Sequence, residues 1–526
     1  MIKTLSESSI RGVYKTNMVH FSTVAIEGRN QCVGRAGKNT QYCVCNSTNC
    51  DDLAPLTKQP VGAVLSYQTS QSGDRFKEIK HQFTKTENSN DQADTVVLTV
   101  DRTKRHQKIN GIGAAFTDAA TINIGSLPEP MTKRLINDYF GPTGIEFSVA
   151  RIPIASSDFS THTYTYDDLQ SPGMTEDDYE LKHFALVQED LDYKIPQIKL
   201  AKSVAQNGLK LFASPWVTPS WLNDKEFLQK NPDKHYHTWA NYFVKFLDAY
   251  KQHGVEMWGL TMQNEPKSFS SMNFVDPKVE RDFVKKHLGP ALAKAGYGKD
   301  KLNLMLYDEG HELNPMVPYV DTSLDDPETA KYISGVAYHC YLPKNTDAVD
   351  QVHAKHPDQF MLLSECCQNF RKNTDPYTPA SLGDWNQAKD YAHNVMNTLS
   401  HWVSGWVEWN LALDLYGHPN RDWKMADAPL LVDVPNKQYF KNPNFYVLGH
   451  FSKFITPDSV RVDLTASKIP GGEFGHIAFE RPDKSVAIVV FNMANNPVDI
   501  TVKDPQHGSF NAQLPANSIQ SYVYWN

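Results

Sequence analysis

Residues 255–266, VEMWGLTMQNEP, form an apolar run that ends abruptly in Asn264, Glu265 and Pro266. A run with so little charge predicts a strand buried on both faces, as parallel strands inside an α/β barrel are. In a (β/α)8 barrel the carboxyl ends of the strands open into the active-site mouth, so Glu265 is a catalytic candidate. Because Pro266 lacks an N–H group, we expect it to end the strand and to fix the direction of Glu265.

A second glutamate follows the same kind of run. Residues 360–365, FMLLSE, place four apolar residues before Ser364 and Glu365, which lies 100 residues after Glu265. At roughly thirty-odd residues for each βαβ unit, this interval equals three steps around a barrel, from a fourth to a seventh strand. Either glutamate alone is better explained as a loop acid that pairs with an arginine or caps a helix. Two inward carboxylates on nearby strand ends favour the chemistry of a glycosidase.

Further apolar segments complete a set of eight predicted strands: 108–116, 144–154, 209–216, 302–307, 333–341 and 403–413. Residues 239–252 have the apolar spacing of a helix between the third and fourth strands. Strands that alternate with helices favour a barrel over an open sheet. Gly111 and Gly113 do not make a dinucleotide-binding turn, because Phe116 stands where that fingerprint has its third glycine.

Length and charge limit the class of protein. A chain of 526 residues is too long for one small core, so we expect two domains or a barrel with an added domain. The net charge of −8, without a basic stripe, argues against a nucleic-acid partner. No stretch has the ~18 consecutive apolar residues of a membrane-spanning helix.

Four of the seven cysteines, Cys32, Cys43, Cys45 and Cys50, fall in one short segment. Their spacing lacks the paired C-x2-C knuckles of a zinc site, so we predict two small disulfide loops. The glycosylation acceptor Asn46 lies among them, which indicates a secretory or lysosomal protein. The first residues have no continuous apolar core, so no signal peptide is readable there.

The other three cysteines, Cys340, Cys366 and Cys367, fall at predicted strand ends, where we expect buried thiols outside any disulfide. The pattern along the chain predicts four parts. Residues 1–31 form a disordered leader, and residues 32–105 form an N-terminal β segment with the disulfide loops and part of a β-sandwich. Residues 106–432 form the catalytic (β/α)8 barrel, and residues 433–526 form the C-terminal β-sandwich.

Several ordered motifs resemble the glucosylceramidase family. They are CVCNSTNCD (43–51), RIPIASSDFS (151–160), SPWVTPSW (214–221), QNEP (263–266), LLSECC (362–367), GWVEWNLAL (405–413) and GHFSKFI (449–455). The resemblance runs from about residue 32 to the C-terminus. It implies an α/β fold, a (β/α)8 TIM barrel with a flanking β-sandwich domain and a small disulfide-bearing N-terminal β segment.

The resemblance implies that Glu265 is the acid/base and Glu365 the nucleophile of a retaining hydrolase. Such enzymes hold the two carboxyl groups about 5 to 5.5 Å apart. Glu365 must be ionised to attack, and we expect its charge to keep Glu265 protonated as the acid. Once the glycosyl ester has formed, Glu265 can deprotonate the incoming water.

Glucose-binding positions of the family fall on Asp158, Trp216, Asn264 and Trp409. Asp158 can accept hydrogen bonds from sugar hydroxyls, and Asn264 is expected to bind the 2-hydroxyl. The two tryptophans are expected to offer ring faces to sugar C–H groups. Each position has a structural alternative: a loop or helix cap for Asp158, a turn residue for Asn264, and core packing for both tryptophans.

Arg151 and Tyr341 match family positions at the ends of the second and sixth strands, where they would orient Glu365 by hydrogen bonds. Packing is the alternative for Tyr341, and the same caution applies to the neighbouring His339. The chain departs from the family pattern at Cys340, where the family has an aromatic residue, and at Lys424, where it has an asparagine. We expect these departures to affect fine specificity and loop conformation, and not the type of reaction.

Two histidine groups suggest metal binding only weakly. The pair His235-x-His237 is expected in a charged loop, and Asp308-Glu309-x-His311 lacks a complete ligand set, so we expect no metal and no cofactor. The predicted activity is that of a retaining exo-β-glucosidase that hydrolyses glucosylceramide in the lysosome. It would work peripherally on an anionic lipid surface with a saposin-type activator. The alternatives are a retaining β-glycosidase acting on a sterol glucoside or soluble glycan, and a non-catalytic glycolipid-binding protein.

Overall fold

A computed structural model of the protein describes residues 31–85, 94–168, 177–223, 231–269, 272, 274–310, 315–341, 346–367, 380–421, 426–471 and 473–526. Residues 1–30 of the predicted leader, His311 and Lys424 lie outside these ranges.

The N-terminal segment consists of strands and carries both predicted disulfide loops. Its strands are β1 (Gly34–Ala36), β2 (Gln41–Cys45), β3 (Ala63–Ser70), β4 (Lys77–Gln82) and β5 (Val96–Lys108). Disulfides join Cys32 to Cys43 and Cys45 to Cys50, which confirms the prediction of two small loops. Asn46 lies in the second loop, where its side-chain oxygen accepts hydrogen bonds from the backbone and hydroxyl of Thr48 at 2.9 Å.

Eight parallel strands of the described chain close into the predicted barrel, with β13 pairing back to β6. They are β6 (Gly111–Ala115), β7 (Val149–Ile154), β8 (Lys210–Pro215), β9 (Gly259–Thr261), β10 (Asn303–Glu309), β11 (Ile333–His339), β12 (Phe360–Cys366) and β13 (Val403–Glu408). Glycine is required in β6, because a Cβ atom at Gly113 would lie 1.6 Å from the carbonyl oxygen of Val149 in β7. Gly113 is therefore needed for the close packing of two strands, which agrees with the prediction that it does not form a dinucleotide-binding turn.

Helices follow the barrel strands and cover the outside of the barrel. In the described ranges they are α1 (Asp118–Gly125), α2 (Glu129–Phe140), α3 (Ile195–Val204), α4 (Pro232–Gln252), α5 (Pro266–Phe269), α6 (Pro277–Phe283), α7 (Gly289–Lys294), α8 (Met316–Leu324), α9 (Pro327–Ala330), α10 (Thr346–Lys355), α11 (Trp385–Ser400) and α12 (Pro443–Ser452). Single π-helical stretches, Glu189–Lys194 and Val284–Leu288, lead into α3 and α7.

The predicted helix at 239–252 corresponds to α4, which begins earlier, at Pro232. Proline is tolerated in the first helical turn because its missing N–H group has no partner there. The predicted apolar face, Phe243, Phe246, Leu247 and Tyr250, is buried. His235 and His237 also lie on α4, so their prediction as loop residues was wrong.

The C-terminal strands combine with the N-terminal ones into two sheets. The strands are β14 (Ala412–Asp414), β15 (Leu430–Asp433), β16 (Gln438–Lys441), β17 (Val460–Ala466), β18 (Phe474–Glu480), β19 (Val486–Asn492), β20 (Val498–Asp504), β21 (Gly508–Leu514) and β22 (Ser518–Tyr524). One sheet has the order β1-β2-β16-β15-β14, and the other β21-β20-β5-β17-β18-β19-β22-β3-β4. The two ends of the chain are therefore paired, as the sequence predicted. Within the described residues, no helix combines the length and apolarity needed to cross a membrane.

Helix α12 connects the barrel to the larger sheet, and every residue in it is buried. His450 Nδ1 lies 2.8 Å from Ser521 Oγ on β22, and Nε2 lies 2.9 Å from Thr69 Oγ1 on β3. Lys453, just after the helix, donates to the carbonyl oxygens of Pro142 and Gly144. The GHFSKFI motif thus has a structural role at the junction of the two parts.

Candidate active site

The two predicted catalytic glutamates lie at the carboxyl ends of their strands. Glu365 is the sixth residue of β12. Glu265 lies beyond β9, which ends at Thr261, so the prediction that Pro266 ends the strand was wrong. Pro266 instead begins the short helix α5. The apolar run did not reveal the early end of the strand, because Met262 is buried as a strand residue would be.

The backbone holds Glu265 in an unusual conformation. Its φ angle of +40° lies in the left-handed region, which is costly for a residue with a side chain. Its N–H group donates to the carbonyl oxygen of Asp308 at 2.9 Å, and Asn264 donates to that of Pro215 at 2.8 Å. These bonds to the neighbouring strand ends fix the turn that aims Glu265 at the mouth of the barrel.

The carboxyl groups of Glu265 and Glu365 face each other across His339. One oxygen of each and a ring nitrogen of His339 all lie within 4.8 Å of one another. Such closeness fits a retaining mechanism, because an inverting enzyme needs about 6.5–9.5 Å between carboxyl groups to admit a water. Glu365 is the more buried, with a side chain 7% exposed against 15% for Glu265.

Arg151, on β7, is fully buried and holds the nucleophile candidate. Its guanidinium group donates to Glu365 Oε2 and, at 2.7 Å, to Asp308 Oδ2. It also donates to Asn264 Oδ1 at 2.8 Å and to Ser214 Oγ at 3.1 Å. All of these partners are on strand ends or the turns that follow, so one side chain ties several strands together at the mouth. Its role as an orienting residue was predicted from the resemblance.

Asp308, on β10, is the centre of this network, a role that was not predicted from the sequence. It is the extra residue of a β-bulge, because Tyr307 pairs with Ala337 whereas Glu309 pairs with Tyr338. A bulge re-aims a side chain, and here the carboxylate of Asp308 is turned into the barrel. It accepts hydrogen bonds from Arg151, Ser214, Thr261, Ser364 and His339.

The charges around Asp308 decide its protonation. Burial by itself would raise the pKa of Asp308, but Arg151, His339 and the Ser364 hydroxyl hold that pKa below its ordinary value. The group is therefore an anion at neutral and mildly acidic pH. Its negative charge balances the positive charge of Arg151, which lies 2.7 Å away.

His339, on β11, contacts two carboxyl groups at once. Its Nδ1 lies 3.0 Å from Glu265 Oε1 and its Nε2 lies 3.2 Å from Asp308 Oδ1. Burial alone would lower the pKa of His339, but the charge of Glu365 and the hydrogen bonds to Asp308 and Glu265 raise it to about 10. Both ring nitrogens then carry protons. A metal ion at Glu265, His339 and Glu365 would have to displace one of these protons, because only a deprotonated ring nitrogen binds a metal.

Tyr341 lies two residues beyond the end of β11 and is 37% exposed. Its hydroxyl donates to Glu365 Oε1 at 2.9 Å, opposite the oxygen that Arg151 holds. Each carboxylate oxygen of Glu365 therefore has its own donor. This is the geometry that the predicted orienting role requires.

Cys340 and Cys366 form a disulfide with a Cα–Cα distance of 5.1 Å, so the prediction of buried thiols was wrong for these two residues. They are 26 residues apart in the chain, and only the adjacency of β11 and β12 brings them together. Cys367 has a buried thiol outside any disulfide, as predicted.

Three of the four predicted sugar-binding residues contact Arg151: Asn264 by a hydrogen bond, and Trp216 and Trp409 through their rings. The rings of Trp216 and Trp409 stack on each other, with centroids 5.0 Å apart and planes at 17°. The guanidinium group of Arg151 lies 4.7 Å from the centroid of Trp216. Asp158 is buried in the loop after β7, and its backbone oxygen accepts a hydrogen bond from Arg421. In this structure the buried rings of both tryptophans support Arg151, and their binding of sugar stays a prediction.

Of the two groups of residues that only weakly suggested metal binding, the structure describes the histidines of the first. His235 and His237 are two positions apart on α4, so one is buried and the other exposed. His311, of the second candidate, is outside the described residues.

Known proteins resemble the chain over most of its length. It is 36% identical to the lysosomal acid glucosylceramidase of Mus musculus over 517 residues, which cover 94% of this chain and 96% of the relative. It is 37% identical to the putative glucosylceramidase 3 of Caenorhabditis elegans over 500 residues, 92% of each chain. The solved structure of an endo-β1,6-glucanase, 25% identical, covers 89% of this chain and 100% of its own, with a TM-score of 0.73.

Two domain families match consecutive parts of the chain. Residues 109–455 match the TIM-barrel domain of glycosyl hydrolase family 30, and residues 458–522 match the β-sandwich domain of the same family. These matches confirm the resemblance recognised from the motifs. The chain belongs to glycosyl hydrolase family 30 and is a glycoside hydrolase of the glucosylceramidase family.

Proposed function

We propose that the protein is a retaining exo-β-glucosidase that hydrolyses glucosylceramide to glucose and ceramide. The observation that carries the proposal is the pair Glu265 and Glu365, with carboxylate oxygens less than 4.8 Å apart at the mouth of the barrel. The choice of substrate is supported by the relatives named as glucosylceramidases, which match more than nine-tenths of the chain.

In the first step, Glu365 attacks the anomeric carbon while Glu265 protonates the glycosidic oxygen. The bond from that carbon to the oxygen breaks, ceramide leaves as an alcohol, and glucose stays bound to Glu365 as an ester. Arg151 and Tyr341 hold one carboxylate oxygen each, so the nucleophile meets the sugar in a fixed orientation.

In the second step, Glu265 is the carboxylate that the first step left, and it stays ionised because the charge on Glu365 has disappeared into the ester. Glu265 then takes a proton from water, whose oxygen attacks the anomeric carbon and releases glucose. His339 donates from Nδ1 to Glu265 Oε1 and stabilises the anionic form that this step requires.

We propose that the protein works in the lysosome, at the surface of an anionic membrane and with a saposin-type activator. The disulfides and the glycosylation acceptor Asn46 support a secretory route. The substrate carries its sugar at a bilayer surface, which favours peripheral action by the barrel mouth.

The test is release of glucose from glucosylceramide in anionic-lipid vesicles at mildly acidic pH. The unmodified protein should release glucose, and Glu265→Gln and Glu365→Gln should lose at least ~1,000-fold in rate while remaining folded. No release by the unmodified protein, with or without activator, would defeat the substrate assignment. Near-normal activity in Glu365→Gln would defeat the assignment of the nucleophile.

A second candidate substrate is a β-1,6-linked glucan, since the similar solved structure is that of an endo-β1,6-glucanase. The same preparation should be offered that glucan and a sterol glucoside beside glucosylceramide. Labelling of Glu365 by a cyclitol epoxide separates any of these enzymes from a non-catalytic glycolipid-binding protein, because the ester forms only on an active nucleophile.

A further inference from the structure

The Cys340–Cys366 disulfide lies next to the catalytic groups on both of its strands. Cys340 is bonded in the chain to His339 and Tyr341, and Cys366 directly follows Glu365. The ladder between β11 and β12 ends in this region, with an irregularity after Tyr338 and His339 paired to Glu365. The disulfide thus stands where regular strand pairing ends.

The residue pairs 340–341 and 365–366 are joined at three points. The disulfide is the covalent one. The N–H group of Cys340 donates to the carbonyl oxygen of Glu365 at 3.1 Å, and the Tyr341 hydroxyl donates to Glu365 Oε1 at 2.9 Å. Residues 340–341 and 365–366 therefore form a small ring, which is closed on one side by the disulfide and on the other by the hydrogen bond from Tyr341 to Glu365.

We propose that this disulfide is a positioning clamp, which holds the Tyr341 hydroxyl on the nucleophile Glu365. Cys340 and Cys366 are positioning residues that act through Tyr341. The inference rests on the proposed role of Glu365. Tyr341 needs the clamp because it lies beyond the strand and is 37% exposed, so packing restrains it less than it restrains Arg151. A displacement of roughly 1 Å in such a group can cost up to about 100-fold in rate.

The thiol of the neighbouring Cys367 does not readily exchange with the Cys340–Cys366 disulfide. Burial, together with the charges of Glu408 and Asp427, raises the pKa of Cys367 well above its ordinary value. The thiol form is a poor nucleophile, so exchange with the disulfide is slow. An added dithiol such as dithiothreitol opens the clamp by supplying two electrons and two protons. Cys340 and Cys366 become thiols, and the dithiol becomes a cyclic disulfide.

The first experiment compares the unmodified protein with the double variant Cys340→Ala/Cys366→Ala on an aryl β-glucoside. We expect kcat to fall about tenfold, with a smaller change in KM, because the clamp orients a group that acts during the reaction. In a Tyr341→Phe background the same double substitution should cause no further loss, since the group it positions is gone. Equal kcat in the unmodified and double-variant proteins, or additive losses in the Tyr341→Phe background, would overturn the proposal.

Reduction provides a matched control without a substitution. Dithiothreitol should slow the unmodified protein about as much as the double substitution does. The reagent also reaches Cys32–Cys43 and Cys45–Cys50, so its effect on the double variant measures their share. Should the double variant fail to fold, the reduced protein takes its place in the comparison. Peptide mapping of the unreduced protein must show the 340–366 bond, and thiols at both positions would overturn the proposal.

A crystal structure of the double variant separates this inference from the proposed function. If the unmodified protein cleaves no β-glucoside, the proposed function fails, and the clamp is then judged by geometry alone. The Tyr341 Oη–Glu365 Oε1 distance should increase beyond hydrogen-bonding range. Retention of the present 2.9 Å would overturn the clamp whatever the enzyme cleaves.

Discussion

The mouth of the barrel and the junction at α12 each contain a fully buried histidine, and the two histidines differ in charge. At the mouth, His339 has a pKa of about 10 because carboxylates outweigh the effect of burial. At the junction, burial lowers the pKa of His450 to about 3. The same residue type at the same depth is therefore a cation in one region and neutral in the other.

The hydrogen bonds explain the difference. The Nε2 atom of His339 faces the ionised carboxylate of Asp308, which only accepts, and Nδ1 faces Oε1 of Glu265, so the protonated imidazole donates from both nitrogens. Ser521 donates its hydroxyl proton to the carbonyl oxygen of His450, so Nδ1 of His450 donates to that hydroxyl. Thr69 accepts from the N–H of Phe76 and so offers its own proton to Nε2. The mouth is a network of charges suited to catalysis, whereas the junction is a neutral network that holds two parts of the chain together.

The largest effect should come from removing the charge that the mouth depends on. In Asp308→Asn the buried Arg151 and His339 lose their shared anion, which should cost about 3–5 kcal/mol of stability. We expect kcat to fall by roughly 100-fold or more, because His339 loses a carboxylate that stabilises its proton and Arg151 loses a partner that holds it against Glu365. Urea unfolding and steady-state kinetics measure the two effects.

Asp190→Asn is the matched control, because Asp190 is as buried as Asp308 and also forms an ion pair. Its partner Lys194 lies 3.1 Å away, and both residues belong to the π-helical stretch before α3 and not to a barrel strand end. It should lose stability with little loss of kcat. A loss of kcat in Asp190→Asn as large as in Asp308→Asn would show that the ion pairs of Asp308 are no more important for catalysis than another buried ion pair.

Much of this arrangement was predictable from the sequence. Glu265 and Glu365 were found because apolar runs ended in acids at an interval that fits a barrel. Asp308 was missed because its inward direction depends on a bulge, with Tyr307 and Asp308 at φ angles of +81° and +47°. The Cys340–Cys366 bond was missed because it requires knowing which strands are neighbours. Chain periodicity reports which residues are buried, and neither backbone irregularity nor pairing across strands is visible in it.

His339→Gln tests the charged histidine through the pH dependence of stability. The folded protein retains a proton on His339 between pH 6.5 and about 10, where the unfolded chain has lost it. This contribution is complete below pH 6.5 and disappears as the pH rises through 10. The advantage of the unmodified protein over the variant should shrink by about 1.4 kcal/mol per pH unit in this window. Urea unfolding at pH 6.5, 7.5 and 8.5 tests it, and a constant difference would mean that His339 is neutral.

His450→Gln should show the opposite sign. Between pH 6.5 and about 3 the unfolded chain binds a proton that folded His450 does not, so stability falls as the pH falls. At pH 5 this costs the unmodified protein about 2 kcal/mol relative to pH 7, and the glutamine variant should be spared. Thermal or urea unfolding at both pH values measures it. An identical acid response in the two proteins would contradict the neutral assignment, and kcat at pH 6.5 should not change.

The smallest effects on stability should come from removing single hydroxyl groups. One such substitution in each region compares the charged network at the mouth with the neutral network at the junction. Ser364→Ala removes a 2.6 Å hydrogen bond to Asp308 Oδ1, but His339 still donates to that oxygen. Ser521→Ala removes the partner of His450 Nδ1 and leaves a buried donor unpaired. We therefore expect about 1 kcal/mol of lost stability for Ser364→Ala and about 2 kcal/mol for Ser521→Ala, by urea unfolding at pH 7. A larger loss of stability for Ser364→Ala than for Ser521→Ala would mean that the donors around Asp308 cannot replace one another. The charged network would then be more sensitive than the neutral one to the loss of a single hydrogen bond, although it contains more of them.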